Sequence, residues 1–169
     1  MIIFLYTYLE VIILKIKWKT LLICIAIPLA VGILAGIITR SAMDDFSALD
    51  QPPLSPPSWL FPVVWSILYV LMGISLYLAV TSGAPQRKLS TAFALFAAQL
   101  FFNFFWSIIF FNFGAYYFAF AWLIVLWVLI ILCAISFYGI DKRAGYLWLP
   151  YILWVTFAGY LNLAIAILN

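Results

Sequence analysis

Apolar residues along this chain do not alternate, and they do not keep to one side of a helical wheel. They come in long runs. Five of these, about 20–39, 59–80, 89–111, 115–138 and 146–168, reach the roughly 20 residues that a helix needs to cross a hydrocarbon core about 30 Å thick. Polar residues collect between the runs. They occupy the proline-rich stretch 41–58, the turn Ser82-Gly83-Ala84-Pro85-Gln86-Arg87-Lys88, the short Asn112-Phe113-Gly114, and Asp141-Lys142-Arg143. A barrel strand would show period-two alternation, so the pattern predicts an all-α, polytopic membrane bundle of five transmembrane helices. That bundle forms one domain over 18–169. Residues 1–17 are an apolar and basic extension: they are too short for a span, contain Glu10, and run into Lys15-Ile16-Lys17-Trp18-Lys19. They lack the basic start and small-residue cleavage site of a signal peptide, and an interfacial helix, or an extension that the fold does not need, is expected there rather than a sixth crossing.

Composition agrees with a lipid solvent. Of 169 residues, 69% are hydrophobic and 8% charged, where soluble domains carry about 25% charged residues. The position of the charges sets the orientation. With five spans, Lys15, Lys17, Lys19, Arg87, Lys88, Lys142 and Arg143 share one side, and Arg40 stands alone on the other beside Asp44, Asp45 and Asp50. The N-terminus is therefore expected in the cytoplasm, with the first loop and the C-terminus outward.

Several kinds of chemistry lose their usual residues. There is no histidine, the commonest general base and metal ligand. The acids Glu10, Asp44, Asp45, Asp50 and Asp141 all lie outside the spans, whereas ion-coupled transporters rely on intramembrane carboxylates or broken helices. No phosphate-binding loop, nucleophile–base pair or metal cluster is visible. The sequence argues against ordinary enzyme chemistry, a metal, a cofactor or a nucleic-acid partner. Cys24 and Cys133 fall within apolar runs and are expected to pack as small hydrophobes.

What remains is polarity at membrane depth. Gln99, Asn103 and Ser107 follow one another at four-residue spacing on one face of the third span, with Trp106 and Phe110 adjoining. Unpaired amides in hydrocarbon are costly, so this face must point into the bundle. It can serve as hydrogen-bonded glue between helices or as a polar anchor for a ligand. Trp65, Tyr69 and Gly73 in the second span and Tyr151, Trp154, Ala158 and Asn162 in the fifth form similar faces. Together they suit a large, flat, mostly apolar molecule, or simple packing. Gly32 and Gly36 in the first span, and Ala94 and Ala98 in the third, permit close backbone approach within or between chains. Pro28 is expected to kink the first helix, and Pro62 and Pro150 suit helix starts.

Three motifs carry a resemblance. The run Pro56-Pro57-Ser58-Trp59-Leu60-Phe61-Pro62-Val63-Val64-Trp65-Ser66-Ile67-Leu68-Tyr69 is similar to the hallmark of the TspO/translocator protein family, the tryptophan-rich sensory proteins or peripheral-type benzodiazepine receptors. Gln99 to Ser107 with Phe110-Phe111 resembles its third span, and Leu149 to Trp154 with Ala158 to Asn162 its fifth. The resemblance covers about residues 18–169. It implies a five-helix bundle, commonly a homodimer, that binds porphyrins and, in some members, cholesterol, benzodiazepines and isoquinoline carboxamides. Mapped onto this sequence, the implied pocket is Trp65, Tyr69, Asn103, Trp106, Trp154 and Ala158, under a loop lid of Pro53, Leu54 and Pro56, and Ala94 and Ala98 match a dimer contact. The sequence departs from the family at Asp45-Phe46 before Leu49, at Trp122 where many members carry an aspartate, and at Leu163 in place of a tyrosine of the sterol-recognition pattern. The implied function is a membrane receptor or carrier for tetrapyrroles and related hydrophobic ligands, in stress or tetrapyrrole regulation. The alternatives are light-dependent porphyrin breakdown and a membrane scaffold with a lipid-filled pocket.

Overall fold

The computed structural model describes residues 16–42, 46 and 48–169. The expected interfacial segment therefore lies, apart from its last two residues, outside the described chain, as do Asp44 and Asp45. The long helices are α1 (Trp18–Thr39), α2 (Leu60–Thr81), α3 (Gln86–Ser107, continued by a π-helical turn, Ile108–Asn112), α4 (Tyr116–Tyr138) and α6 (Leu149–Leu168), with a short α5 (Lys142–Tyr146) leading into the last. Among the described residues, five segments are long and apolar enough to cross a membrane. The shortest has 22 residues, about 33 Å of helix. The charged turn expected between the fourth and fifth spans is largely helical. Asp141 caps α5 by accepting the Arg143 N–H at 2.8 Å, and its carboxyl is held below the ordinary carboxylate range mainly by the Arg143 side chain bonded to it.

Residues around the helices follow lipid rather than water. Ile23, Ile37, Leu153 and Ile167 are largely exposed, while Gln99, Asn103 and Asn162 are buried. Both cysteines are free and buried. Helix α1 lies beside α2 and α3, α3 beside α4, and α4 beside α6. The spans thus run α1, α2, α6, α4, α3 around the bundle. Two joints of this ring differ in kind. The α1–α2 seam closes on glycine: a Cβ on Gly73 would overlap the Ile25 backbone, and one on Gly32 would overlap the Tyr69 ring. The α2–α6 joint is filled by large side chains. Trp65 meets Tyr151 with ring centroids 5.9 Å apart and Phe61 meets Trp154 at 6.0 Å. Further along, the Trp148 indole N–H donates to Ser75 Oγ at 2.8 Å, and that hydroxyl donates to the Ala144 carbonyl at 2.9 Å.

Prolines fall where their missing N–H does least harm, with one exception. Pro150 is in the first turn of α6 and Pro62 in that of α2. Pro28 is inside α1, buried, with helix assigned on both sides of it. The long loop before α2 is tied to the end of α6. The Asp50 N–H donates to Asn169 Oδ1 at 3.0 Å, Asn169 Nδ2 donates back to the Asp50 carbonyl at 3.2 Å, and the Tyr160 hydroxyl donates to the Pro53 carbonyl at 2.9 Å. Phe46 packs its ring on Phe61, Phe110 and Phe111, so the loop also rests on the start of α2 and the end of α3.

Candidate functional site

The polar face of α3 meets two phenols. Tyr69 of α2 donates its hydroxyl proton to Asn103 Oδ1 at 2.7 Å. Asn103 Nδ2 donates to the Tyr151 hydroxyl of α6 at 2.6 Å, and that hydroxyl donates to Gln99 Oε1 at 3.3 Å. Gln99 Nε2 ends the chain on the Met72 sulfur at 3.8 Å, a weak contact. Three spans are thus joined at one buried junction. Gln99 is 0% exposed and Asn103 and Tyr151 are 1% exposed, so no water competes for these groups. A second junction lies toward the loop, where the Trp106 indole N–H donates to Asn162 Oδ1 at 3.1 Å and Asn162 Nδ2 donates to the Tyr116 carbonyl at 2.8 Å.

Beside these junctions is a cavity of about 580 Å³ between α1, α2 and the end of α3. Its floor and back wall are Leu29, Tyr69, Trp65 and Trp106, its α1 side Gly32, Ile33, Gly36 and Thr39, and its outer part Ser58, Trp59, Phe61, Pro62 and Phe111. The volume comes from a change in how α1 meets α2. At Gly32 the Tyr69 ring lies against the backbone, but one turn later nothing lies within 4 Å of where a Gly36 Cβ would be. The π-helical turn at the end of α3 contributes too, because the wider turn (Phe113 N–H to the Ile108 carbonyl, 3.2 Å) carries Phe110 and Phe111. Such turns are frequent at functional sites. Trp106 stacks on Phe110 at 5.4 Å and faces Trp65 at 6.3 Å. No lining residue is charged.

Of the residues singled out from sequence, Trp65, Tyr69 and Trp106 line this cavity, and so does Ser107. Asn103 does not line it, because both ends of its amide are taken by Tyr69 and Tyr151. Ala158 is buried on α6, outside the walls. Trp154 lies behind Phe61, and its indole N–H is buried with no hydrogen-bond partner among the described residues. Pro53 and Leu54 are exposed and Pro56 is half-buried, none of them in the wall, while their neighbour Pro52 is buried. Leu54 has a left-handed backbone (φ 69°) that turns the loop there. Ala94 is exposed and Ala98 half-buried on the outer side of α3.

The α1 wall of the cavity has no counterpart among the pocket residues that the sequence implies. Gly32 and Gly36 were visible as a close-packing motif, but an almost uniformly apolar helix carries no periodic signal to say which side is inward.

Comparison with known proteins decides the family. Residues 24–168 match the model of the TspO/MBR family. The chain belongs to the TspO/MBR family. Relatives include a "Tryptophan-rich protein TspO" of Chlorobaculum tepidum, 37% identical over 89% of this chain and 96% of that protein. "Protein CrtK" of Rhodobacter capsulatus is 37% identical over 73% and 78%. A "Translocator protein" of Bos taurus is 29% identical over 69% and 70%. A relative from Cereibacter sphaeroides, 35% identical over 73% of this chain and 76% of that protein, is named "Tryptophan-rich sensory protein", and a membrane sensory or translocator role is what the membership supports for this chain.

The junction geometry makes Asn103 a structural residue first. Asn103→Ala leaves the Tyr69 and Tyr151 hydroxyls without their amide partner. At about 0.6–1.7 kcal/mol per interhelical hydrogen bond in a membrane, it should cost about 1–3 kcal/mol, with Tyr69→Phe costing about half of that. Unfolding of both variants in mixed micelles, followed by circular dichroism, measures the difference. An Asn103→Ala protein as stable as the wild type would show that the amide is not holding the helices.

Proposed function

We propose that this protein is a membrane receptor or carrier for tetrapyrroles and related flat, hydrophobic molecules, held in the cavity between α1, α2 and α3. The supporting observation is the wall itself: Trp59, Phe61, Trp65, Tyr69, Trp106 and Phe111 around about 580 Å³, within the roughly 300–1,000 Å³ of small-molecule sites. Ring faces and edges of this kind hold a conjugated plane by stacking and burial. Trp65, Tyr69 and Trp106 form the contact surface, Asn103 sets the position of Tyr69 from behind, and Trp154 offers a free indole N–H to a ligand once Phe61 rotates aside. Pro53, Leu54 and Pro56 belong to the loop that covers this end of the bundle.

Carboxylates attached to such a ring cannot be buried among uncharged walls, since an unpaired charge in an apolar site costs several kcal/mol or more. They would lie at the mouth, where Arg40 follows the cavity residue Thr39 at the end of α1. The ring should therefore bind through the walls and its carboxylates through Arg40.

Titration with protoporphyrin in the dark, read by quenching of tryptophan fluorescence, tests this reading. One equivalent should saturate the chain. Gly36→Leu, whose side chain enters the empty space, should weaken binding at least about tenfold, and Arg40→Gln should weaken protoporphyrin but not its dimethyl ester. No response in the wild-type protein would favour a scaffold with a lipid-filled cavity. Bleaching of bound porphyrin under light that is lost in Trp65→Phe would favour photochemical breakdown.

The charge bias supports a cytoplasmic N-terminus. Cysteine introduced at Gln51 should react with a membrane-impermeant reagent in intact cells and one at Gln86 should not, and the reverse pattern would invert the orientation. A homodimer is proposed through the outer side of α3, where Ala94 and Ala98 are one turn apart and let backbones approach. Ala98→Leu should then shift the mass in detergent from dimer to monomer by light scattering, and an unchanged dimer would place the interface elsewhere.

A further inference from the structure

A second recess lies at the opposite end of the bundle, between the first turns of α3 and the last turn of α4. It has a volume of about 300 Å³ and is lined by Arg87, Lys88, Thr91, Ile135, Ser136 and Gly139. Its chemistry is the reverse of the first cavity: two cations and two hydroxyls around a small space. We propose that it binds the phosphate of an anionic membrane lipid, with the acyl chains running along the outside of α4.

Four observations converge on that occupant. Lys88 is directed into the recess, its ammonium donating to the Gly139 carbonyl at the end of α4, 3.2 Å away. One of its three protons is used there and the others are left for a ligand. Among the described residues, no carboxylate forms a salt bridge with the pair. The acid nearest in sequence to Gly139, Asp141, has one oxygen taken by the Arg143 N–H and Nε and the other by the Arg143 Nη2 at 2.9 Å, and this is the only salt bridge among the described residues. Ser136 supplies a hydroxyl to the same wall, beside Thr91, whose own hydroxyl proton goes to the Arg87 carbonyl 3.1 Å away. Finally, the wall continues into lipid-facing carbon: Ile135 is 64% exposed and Leu132, nearly one turn deeper on α4, is 42% exposed. A water-soluble phosphate would gain nothing from that apolar flank, whereas a phospholipid places its glycerol and chains there. Basic recesses between helices at the positive side of a membrane protein are suited to such head groups.

The alternative is that Arg87 and Lys88 act only through net charge at the membrane surface. Native mass spectrometry of the full chain released from nanodiscs of phosphatidylcholine with phosphatidylglycerol separates the two. The wild-type chain should retain phosphatidylglycerol in preference to phosphatidylcholine. The double variant Arg87→Gln/Lys88→Gln should retain it at least about tenfold less, the loss expected when a hydrogen bond to a charged group is removed. Lys17→Gln/Lys19→Gln removes the same charge on the same side and should behave as wild type. An equal loss in both double variants, or none in the first, would overturn the site. Melting temperatures in phosphatidylcholine alone establish that each variant is folded. Inorganic phosphate in millimolar amounts should not displace the lipid, and full displacement would mean that the recess takes free phosphate instead.

Discussion

A buried amide that cannot reach water must find its partners inside the protein, and in this bundle Asn103 finds them on two other helices. Its oxygen accepts from Tyr69 on α2 and its nitrogen donates to Tyr151 on α6. Leaving such groups unpaired in hydrocarbon costs several kcal/mol each, so the three helices hold one register in which Tyr69, Asn103 and Tyr151 are paired. The rest follows from that register. Tyr69, held by its hydroxyl, lays its ring on Gly32 of α1. Tyr151 sets its ring against Trp65, and Trp65 in turn faces Trp106. The polar junction and the aromatic wall are two sides of one arrangement.

The cavity exists because this arrangement fills one joint and relaxes another. Between α2 and α6 the separation is bridged by whole rings, which keeps those backbones apart without leaving a gap. Between α1 and α2 the backbones touch at Gly73 and part by Gly36. Space opens where the close-packing residue has no partner. A helix whose outer side is bathed in lipid can tolerate that opening, because lipid chains or a ligand can occupy it at little cost to the fold. Polar groups are concentrated behind the wall and at the two ends of the bundle, and the cavity interior is left uncharged.

Much of this architecture was legible from residues alone, and the division between what was and what was not is physical. Span number and approximate limits follow from hydrophobic length, which the bilayer imposes directly. The inward face of α3 could be read because Gln99 and Asn103 are polar in an apolar background. Whether those amides would bond to helices or to a ligand could not be read, since that depends on where Tyr69 and Tyr151 place their hydroxyls. Motif resemblance grouped Trp65, Tyr69, Asn103, Trp106, Trp154 and Ala158 as one pocket, whereas the folded chain separates Trp154 from Trp65's cavity by the ring of Phe61. The inner side of α1 left no trace in its composition. Only the approach of Tyr69 shows that Gly32 is occupied and Gly36 is free.

The central claim is that the space between α1, α2 and α3 is where a flat hydrophobic ligand resides. The most direct test is the crystal structure of the protein grown with zinc-substituted protoporphyrin, whose metal marks the ring centre in anomalous difference density. The account predicts one peak per chain, enclosed by Gly36, Trp65 and Trp106, with the ring carboxylates directed toward Arg40. A peak beside Trp154 and Ala158, a peak on the outer surface between two copies, or an empty cavity at saturating ligand would contradict it.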